Sequence, residues 1–163
     1  MVIIIMGVSG SGKTSVGKEL SKATGWEFFD GDDFHPEENV AKMRQKIPLT
    51  DEDRFPWLAR LRSLIEMHIS SNKPCVIACS ALRKIYREKL CGRLNPVHIV
   101  YLKGEFALIE QRMSNRKGHY MPVGLLKSQF GSLEEPDKEE AVILDISKPV
   151  SEIVEEIMTL LPH

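Results

Sequence analysis

Five short runs of apolar residues punctuate the chain, and between them apolar positions recur every three or four residues. Val2-Ile3-Ile4-Ile5-Met6 is uncharged and β-branched, which predicts a strand covered on both faces. Trp26–Asp30, Pro74–Ser80, Val97–Leu102 and Ala141–Leu144 predict four more strands. The segments between them predict helices. Ser15–Ala23 closes near Gly25, and Pro36–Gln45 has its proline suited to the first turn. A proline-interrupted stretch, Ile47–Trp57, opens a longer helix with Leu58, Leu61, Leu64, Ile65, His68 and Ile69 on one face. On that stripe His68 reads as a packed or boundary residue. Further helices are marked by Phe106, Ile109 and Met113, by Leu125, Leu126, Gln129, Phe130 and Leu133, and by Val150, Ile153, Val154, Ile157, Met158 and Leu161. Strand alternating with helix predicts an α/β protein with a parallel sheet and right-handed crossovers. Residues 1–163 read as one domain, without repeats or a linker.

Directly behind the first strand stands Gly7-Val8-Ser9-Gly10-Ser11-Gly12-Lys13-Thr14, of the form G-x-x-x-x-G-K-[ST]. Strand, glycine loop and helix in that order are the context in which this motif cradles phosphate. The glycines let the backbone wrap an anion closely, and the helix N-terminus adds unpaired N–H groups and its positive dipole end. Lys13 would reach the β- and γ-phosphates of a nucleotide, and the Thr14 hydroxyl would ligate Mg²⁺. A glycine-rich turn without a ligand is the bland alternative.

Ligands of parallel sheets sit beyond the carboxyl ends of the strands, which brings in Asp30 and Asp32. Strand alternation would turn both towards the loop and Asp33 away. A solvated acidic turn capping the next helix competes with that reading. The third strand ends in Ser80, where many P-loop proteins carry a metal-associated aspartate, so Asp30 is the best-placed supplier of that carboxylate. Arg54 reads as a surface charge pair or an oxyanion clamp. Arg83 and Arg87, four apart with Lys84 beside them, suggest either a site for an anionic substrate or a solvated helix face. The segment Arg112–Pro122 has basic residues, a glycine and a proline, as a lid over ATP would, with Arg112 and Arg116 delivered to the transferring phosphoryl group.

A formal net charge of −1 gives no electrostatic footprint for nucleic acid or an anionic membrane. Cys75, Cys79 and Cys91 lack metal-site spacing and read as buried thiols of a reducing, cytoplasmic setting. Neither a targeting segment nor a membrane-length apolar run is visible. A GTP-dependent switch is disfavoured, since Asn72-Lys73 runs into Pro74-Cys75 rather than completing N-K-x-D, and D-x-x-G is missing.

Seven blocks in order carry a resemblance over nearly the whole chain: MGVSGSGKT, DGDDFHP, PLTDEDRFPWL, CSALRKIYR, YLKG, RKGHY and LLKSQFGSLEEP. The chain resembles the small P-loop gluconokinases, relatives of shikimate and nucleoside monophosphate kinases. That resemblance implies a five-stranded sheet of order 2-3-1-4-5 with a mobile lid near residues 112–124. It implies transfer of the ATP γ-phosphoryl group to the 6-hydroxyl of D-gluconate; a kinase for another small acid (shikimate-like) or a nucleotide is the runner-up. Gly7, Val8, Ser9, Gly10, Ser11, Gly12, Lys13 and Thr14 would hold the phosphates and Mg²⁺, with Asp30 near the metal. Asp32 would accept or orient the proton of the attacking hydroxyl. His35, Arg54, Ser80, Lys84 and Arg87 would line the sugar-acid pocket, with Arg54 or Arg87 on the carboxylate. Arg112, Arg116 and His119 would act from the lid, and Pro149 would sit against adenine. The chain departs from the pattern at Lys46, Arg83 and Tyr120. The family allows a homodimer, and no segment here requires one.

Overall fold

The computed structural model describes residues 1–115 and 123–161. Its centre is a parallel five-stranded sheet, β1 (Val2–Met6), β2 (Glu27–Asp30), β3 (Cys75–Ala78), β4 (Val97–Lys103) and β5 (Ala141–Asp145), in the order β2-β3-β1-β4-β5. This is the order that the resemblance implied. Ile4 lies between Ile77 of β3 and Ile99 of β4, which fixes the register of the central strands.

Among the described residues seven helices flank the sheet: α1 (Lys13–Thr24), α2 (Glu37–Arg44), α3 (Asp51–Ser70), α4 (Lys84–Leu90), α5 (Phe106–Ser114), α6 (Val123–Ser132) and α7 (Val150–Leu160). Because side chains alternate along a strand, β1 feeds two cores at once. Val2, Ile4 and Met6 pack with Leu58, Leu61 and Ile65 of α3 and with Tyr86 and Leu90 of α4. Ile3 and Ile5 pack with Val16 and Leu20 of α1 and with Ile153, Val154 and Ile157 of α7. Every β1 side chain is fully buried, which is why the run contains no polar residue.

Two expectations need correction. The long helix begins at Asp51, inside the stretch read as interrupted, and runs through Pro56. Thr50 and Asp53 form a reciprocal capping box, satisfying two terminal N–H groups and starting the helix one and a half turns early. Pro56 lacks the N–H that would bond the Glu52 carbonyl, but the cap and the burial of Trp57 and Leu58 outweigh that loss.

The second concerns Asp32, which is not on a strand. β2 stops at Asp30, and Gly31–Phe34 forms a 3-10 turn. The Asp30 carboxylate accepts the Asp32 N–H at 3.0 Å, capping that turn. Gly31 is required here, since a Cβ would stand 2.6 Å from the Ala78 carbonyl oxygen. His68 is the packed residue expected of it: it is buried, meets the Leu64 carbonyl at 3.0 Å through Nδ1, and stands edge-on to Phe29.

Candidate active site

At the carboxyl ends of β1, β2 and β3 lies a recess of about 540 Å³. The phosphate loop forms one wall, through Ser9, Gly10, Gly12, Lys13 and Thr14. Gly12 adopts φ 96°, a left-handed conformation that a side chain would resist, and lets α1 start directly behind the loop. No side chain caps α1 and its first turn holds no acid. Its first N–H groups are therefore left to an anion.

The Lys13 ammonium donates to the carbonyls of Gly7 at 2.9 Å and Val8 at 3.0 Å. Desolvation lowers its pKa from the ordinary lysine value, while Asp32 and Asp30 pull the other way. Asp32 is raised from the usual carboxylate range, first by desolvation and then by the neighbouring Asp30 charge, with Lys13 opposing. Asp30 and Asp32 both line the recess, as the sequence predicted, although a turn rather than strand alternation brings them together.

His35 and Arg54 line the same recess. The His35 ring stacks on Trp57 with centroids 4.2 Å apart, and Asn39 Nδ2 lies 3.1 Å from its Nδ1. Donation by Asn39 leaves the His35 proton on Nε2, so the neutral ring offers one N–H donor. Burial, then the Arg54 charge, push His35 down to about 4. The unfolded chain therefore binds the extra proton between about pH 6.5 and pH 4, and this part of the stability is lost as pH falls through that window. We expect His35→Gln to flatten that slope in thermal melts taken across the same range.

Arg54 is held in place before any ligand arrives. Its Nη1 donates to the Leu49 carbonyl at 2.8 Å and to the Tyr86 hydroxyl at 3.0 Å, and its guanidinium lies 5.3 Å from the Tyr86 ring centroid. The Tyr86 hydroxyl donates in turn to Asp51 at 2.6 Å, and Arg83 donates to the other Asp51 oxygen at 2.8 Å. Arg54 is thus a braced cation in the recess, while Arg83 lines a second hollow that shares Leu49 and Arg54 with it. Ser80 lines the recess, and its carbonyl accepts the Gly7 N–H at 3.4 Å.

The other basic residues fare differently. Lys84 is exposed at the start of α4, where its N–H donates to Glu134, and it does not line the recess. Arg87 is only 3% exposed and every guanidinium nitrogen is engaged. Its Nε pairs with Glu140 at 2.6 Å, Nη1 donates to the Ala81 and Leu82 carbonyls, and Nη2 donates to the Glu134 carbonyl. The structure therefore does not bring Arg87 to the acceptor pocket; it ties the β3–α4 connection to the loop before β5. Arg87→Ala is expected to lower the unfolding free energy by about 3 kcal/mol, since it leaves three carbonyl oxygens and the half-buried Glu140 carboxylate without their donor. The acceptor KM should stay within a factor of about two, below the cost of one lost hydrogen bond. Denaturant titration and initial rates check both.

Arg112 is exposed in the last turn of α5, next to recess-lining Met113, and its charge reaches Asp145. Pro149 precedes α7 four residues beyond Asp145. These two expected nucleotide contacts flank the same β5–α7 loop. Arg116 and His119, with most of the expected lid, lie outside the described residues.

Sequence reasoning missed three contributors. Trp57 supports His35 and donates its indole N–H to the Gly31 carbonyl at 2.8 Å. Asn39 is buried and also donates to the Asp53 carbonyl at 2.9 Å. Gln129 of α6 reaches the phosphate loop: the Ser9 N–H donates to its Oε1 at 2.6 Å, and its Nε2 donates to Ser9 Oγ at 2.9 Å. A polar residue standing in the apolar stripe of Leu125, Leu126, Phe130 and Leu133 was the signal for it.

The shikimate kinase family model matches residues 9–159. Over 155 residues the chain is 45% identical to the thermosensitive gluconokinase of Escherichia coli strain K12, covering 94% of this chain and 83% of that protein. It is 43% identical to a probable gluconokinase of Xenopus tropicalis, covering 96% of this chain and 91% of that one. The crystal structure of a gluconokinase from Sinorhizobium meliloti 1021 matches with a TM-score of 0.84 at 43% identity, over 97% of this chain and 89% of the other. With the phosphate loop, the strand order and these relatives in agreement, the chain belongs to the gluconokinase family, on the frame described by the shikimate kinase model.

Proposed function

We propose that this protein transfers the γ-phosphoryl group of ATP to the 6-hydroxyl of D-gluconate, yielding 6-phosphogluconate and ADP. The observation that carries the reading is one recess holding the phosphate loop, two acids and a braced arginine, in a chain similar to gluconokinases over nearly its full length. The loop amides and Lys13 take the phosphates. Arg54 takes the sugar-acid carboxylate through guanidinium donors that Leu49 and Tyr86 leave free, and His35 Nε2–H donates to a hydroxyl along the chain.

Asp32 faces the acceptor hydroxyl. The hydroxyl oxygen bonds to the γ-phosphorus as the bond from that phosphorus to the β,γ-bridging oxygen breaks, and the hydroxyl proton passes to the Asp32 carboxylate. Its raised pKa brings Asp32 closer to the operating pH, which favours a proton acceptor. Lys13 meets the charge that gathers on the leaving phosphate oxygens.

The donor set suits Mg²⁺. The exposed Thr14 hydroxyl and the Asp30 carboxylate provide hard oxygens on the recess wall. Among the described residues no cluster of three or more His, Cys, Asp or Glu could enclose a metal. A sparse oxygen set is what Mg²⁺ accepts, since it keeps waters and phosphate oxygens in its shell. When bound, the ion neutralises phosphate charge.

Three free, buried cysteines support a reducing compartment, and we place the enzyme in the cytoplasm on that ground. Among the described residues no helix is long and apolar enough to cross a membrane.

Purified protein with ATP and Mg²⁺ should form ADP with gluconate and show little turnover with shikimate or a nucleoside monophosphate. Turnover on either of those without turnover on gluconate would reject the assignment.

A further inference from the structure

Ser9 is the one loop residue gripped by a distant side chain among the described residues, through both of its polar groups. Its amide donates to Gln129 Oε1 and its hydroxyl accepts from Gln129 Nε2, closing a two-point clamp across 120 positions of sequence. Gln129 and Ser9 line the same recess as Gly10, Lys13, Asp30 and Asp32. On α6 Leu126 is buried and Phe130 stands edge-on to Phe106 of α5, whereas Lys127 and Ser128 are exposed. A methionine or leucine at 129 would leave the Ser9 N–H without this acceptor. A half-buried amide whose carbonyl and amino groups both meet Ser9 therefore asks for a reason beyond packing.

We propose that Gln129 is a positioning residue for phosphoryl transfer: it fixes the front of the phosphate loop at Ser9, and with it the direction in which the transferring group is presented to the acceptor. The amides behind it, from Gly10 to Thr14, and Lys13 suffice to hold a polyphosphate, so ground-state binding does not depend on the clamp. Alignment does. Phosphoryl transfer has an in-line requirement, and an error of about 1 Å in a bound reactant is worth on the order of a hundredfold in rate. Oε1 accepts from a backbone N–H, so the loop's own main chain is what the clamp orients. Because the side chain faces the phosphate recess, a charge placed at 129 would also be felt by the nucleotide.

Five proteins test this: wild type, Gln129→Met, Gln129→Glu, Ser9→Ala and the Ser9→Ala/Gln129→Met double variant. Gln129→Met should lower kcat by about ten- to a hundredfold while the KM for ATP moves less than about threefold, because alignment fails and binding does not. Gln129→Glu keeps an acceptor for the Ser9 N–H and can accept from its hydroxyl, so its melting temperature should match wild type. Its negative charge should nevertheless raise the KM for ATP by on the order of tenfold. Adding Ser9→Ala to Gln129→Met should cost little beyond Gln129→Met alone, as expected for groups acting through one contact. Wild-type kcat in Gln129→Met would overturn the proposal. So would a kcat loss in Gln129→Glu, which keeps both contacts to Ser9, as large as the one expected for Gln129→Met, or additive losses in the double variant. If Gln129→Met does not fold, Gln129→Glu and Ser9→Ala still decide through the ATP KM and kcat.

Discussion

Lys13→Ala is expected to lower kcat by about a thousandfold with the fold intact. The ammonium is held by two carbonyls of its own loop, Gly7 and Val8, and is desolvated enough that its pKa falls. A cation kept in a dehydrated cradle is poised to meet charge developing on phosphate oxygens, where it is worth far more than in water. Its removal leaves the first-turn amides of α1, so nucleotide affinity should fall much less than rate. Initial rates, ATP calorimetry and a thermal melt separate these quantities. Turnover within tenfold of wild type would contradict the role given to the loop.

Asp32→Asn should follow, with kcat reduced by about 10²- to 10⁴-fold, the range for loss of a positioned general base, and ATP affinity little changed. Desolvation and the Asp30 charge both penalise the Asp32 carboxylate, so the neutral amide relieves a strain present at neutral pH. Thermal stability should therefore rise slightly while activity collapses, the trade-off expected where a fold holds a group in an unfavourable state. The acidic limb of the pH–rate profile should lie above the usual carboxylate range in the wild type and vanish in the variant. Equal losses of rate and ATP affinity would instead reassign Asp32 to the metal.

The residues that could be read in advance were those whose role is local. The β1 run, the glycine loop and α1 are contiguous, and their chemistry follows from main-chain geometry within residues 2–24. Helix faces were legible for the same reason. Proline misled at residues 47–57, because a capping box at Thr50 and Asp53 outweighs one missing N–H at Pro56. Arg87 misled because its partners, Glu134 and Glu140, lie 47 and 53 residues away, in a loop that pattern alone marks only as acidic. A basic residue at the right spacing beyond a strand end looks the same whether it faces substrate or a half-buried carboxylate. The Arg54–Tyr86–Asp51 brace and the Gln129–Ser9 clamp escaped for the same reason: each joins segments that only the folded sheet makes neighbours.

The most direct test of the mechanism is a crystal structure with gluconate and a non-hydrolysable ATP analogue bound together. The account predicts the C6 hydroxyl oxygen about 3–3.5 Å from the terminal phosphorus, in line with the bond to be broken. It also predicts an Asp32 carboxylate oxygen within hydrogen-bond reach of that hydroxyl and the sugar-acid carboxylate on Arg54. Gluconate seated with its carboxylate towards the phosphate loop, or with C6 remote from the terminal phosphorus, would contradict it.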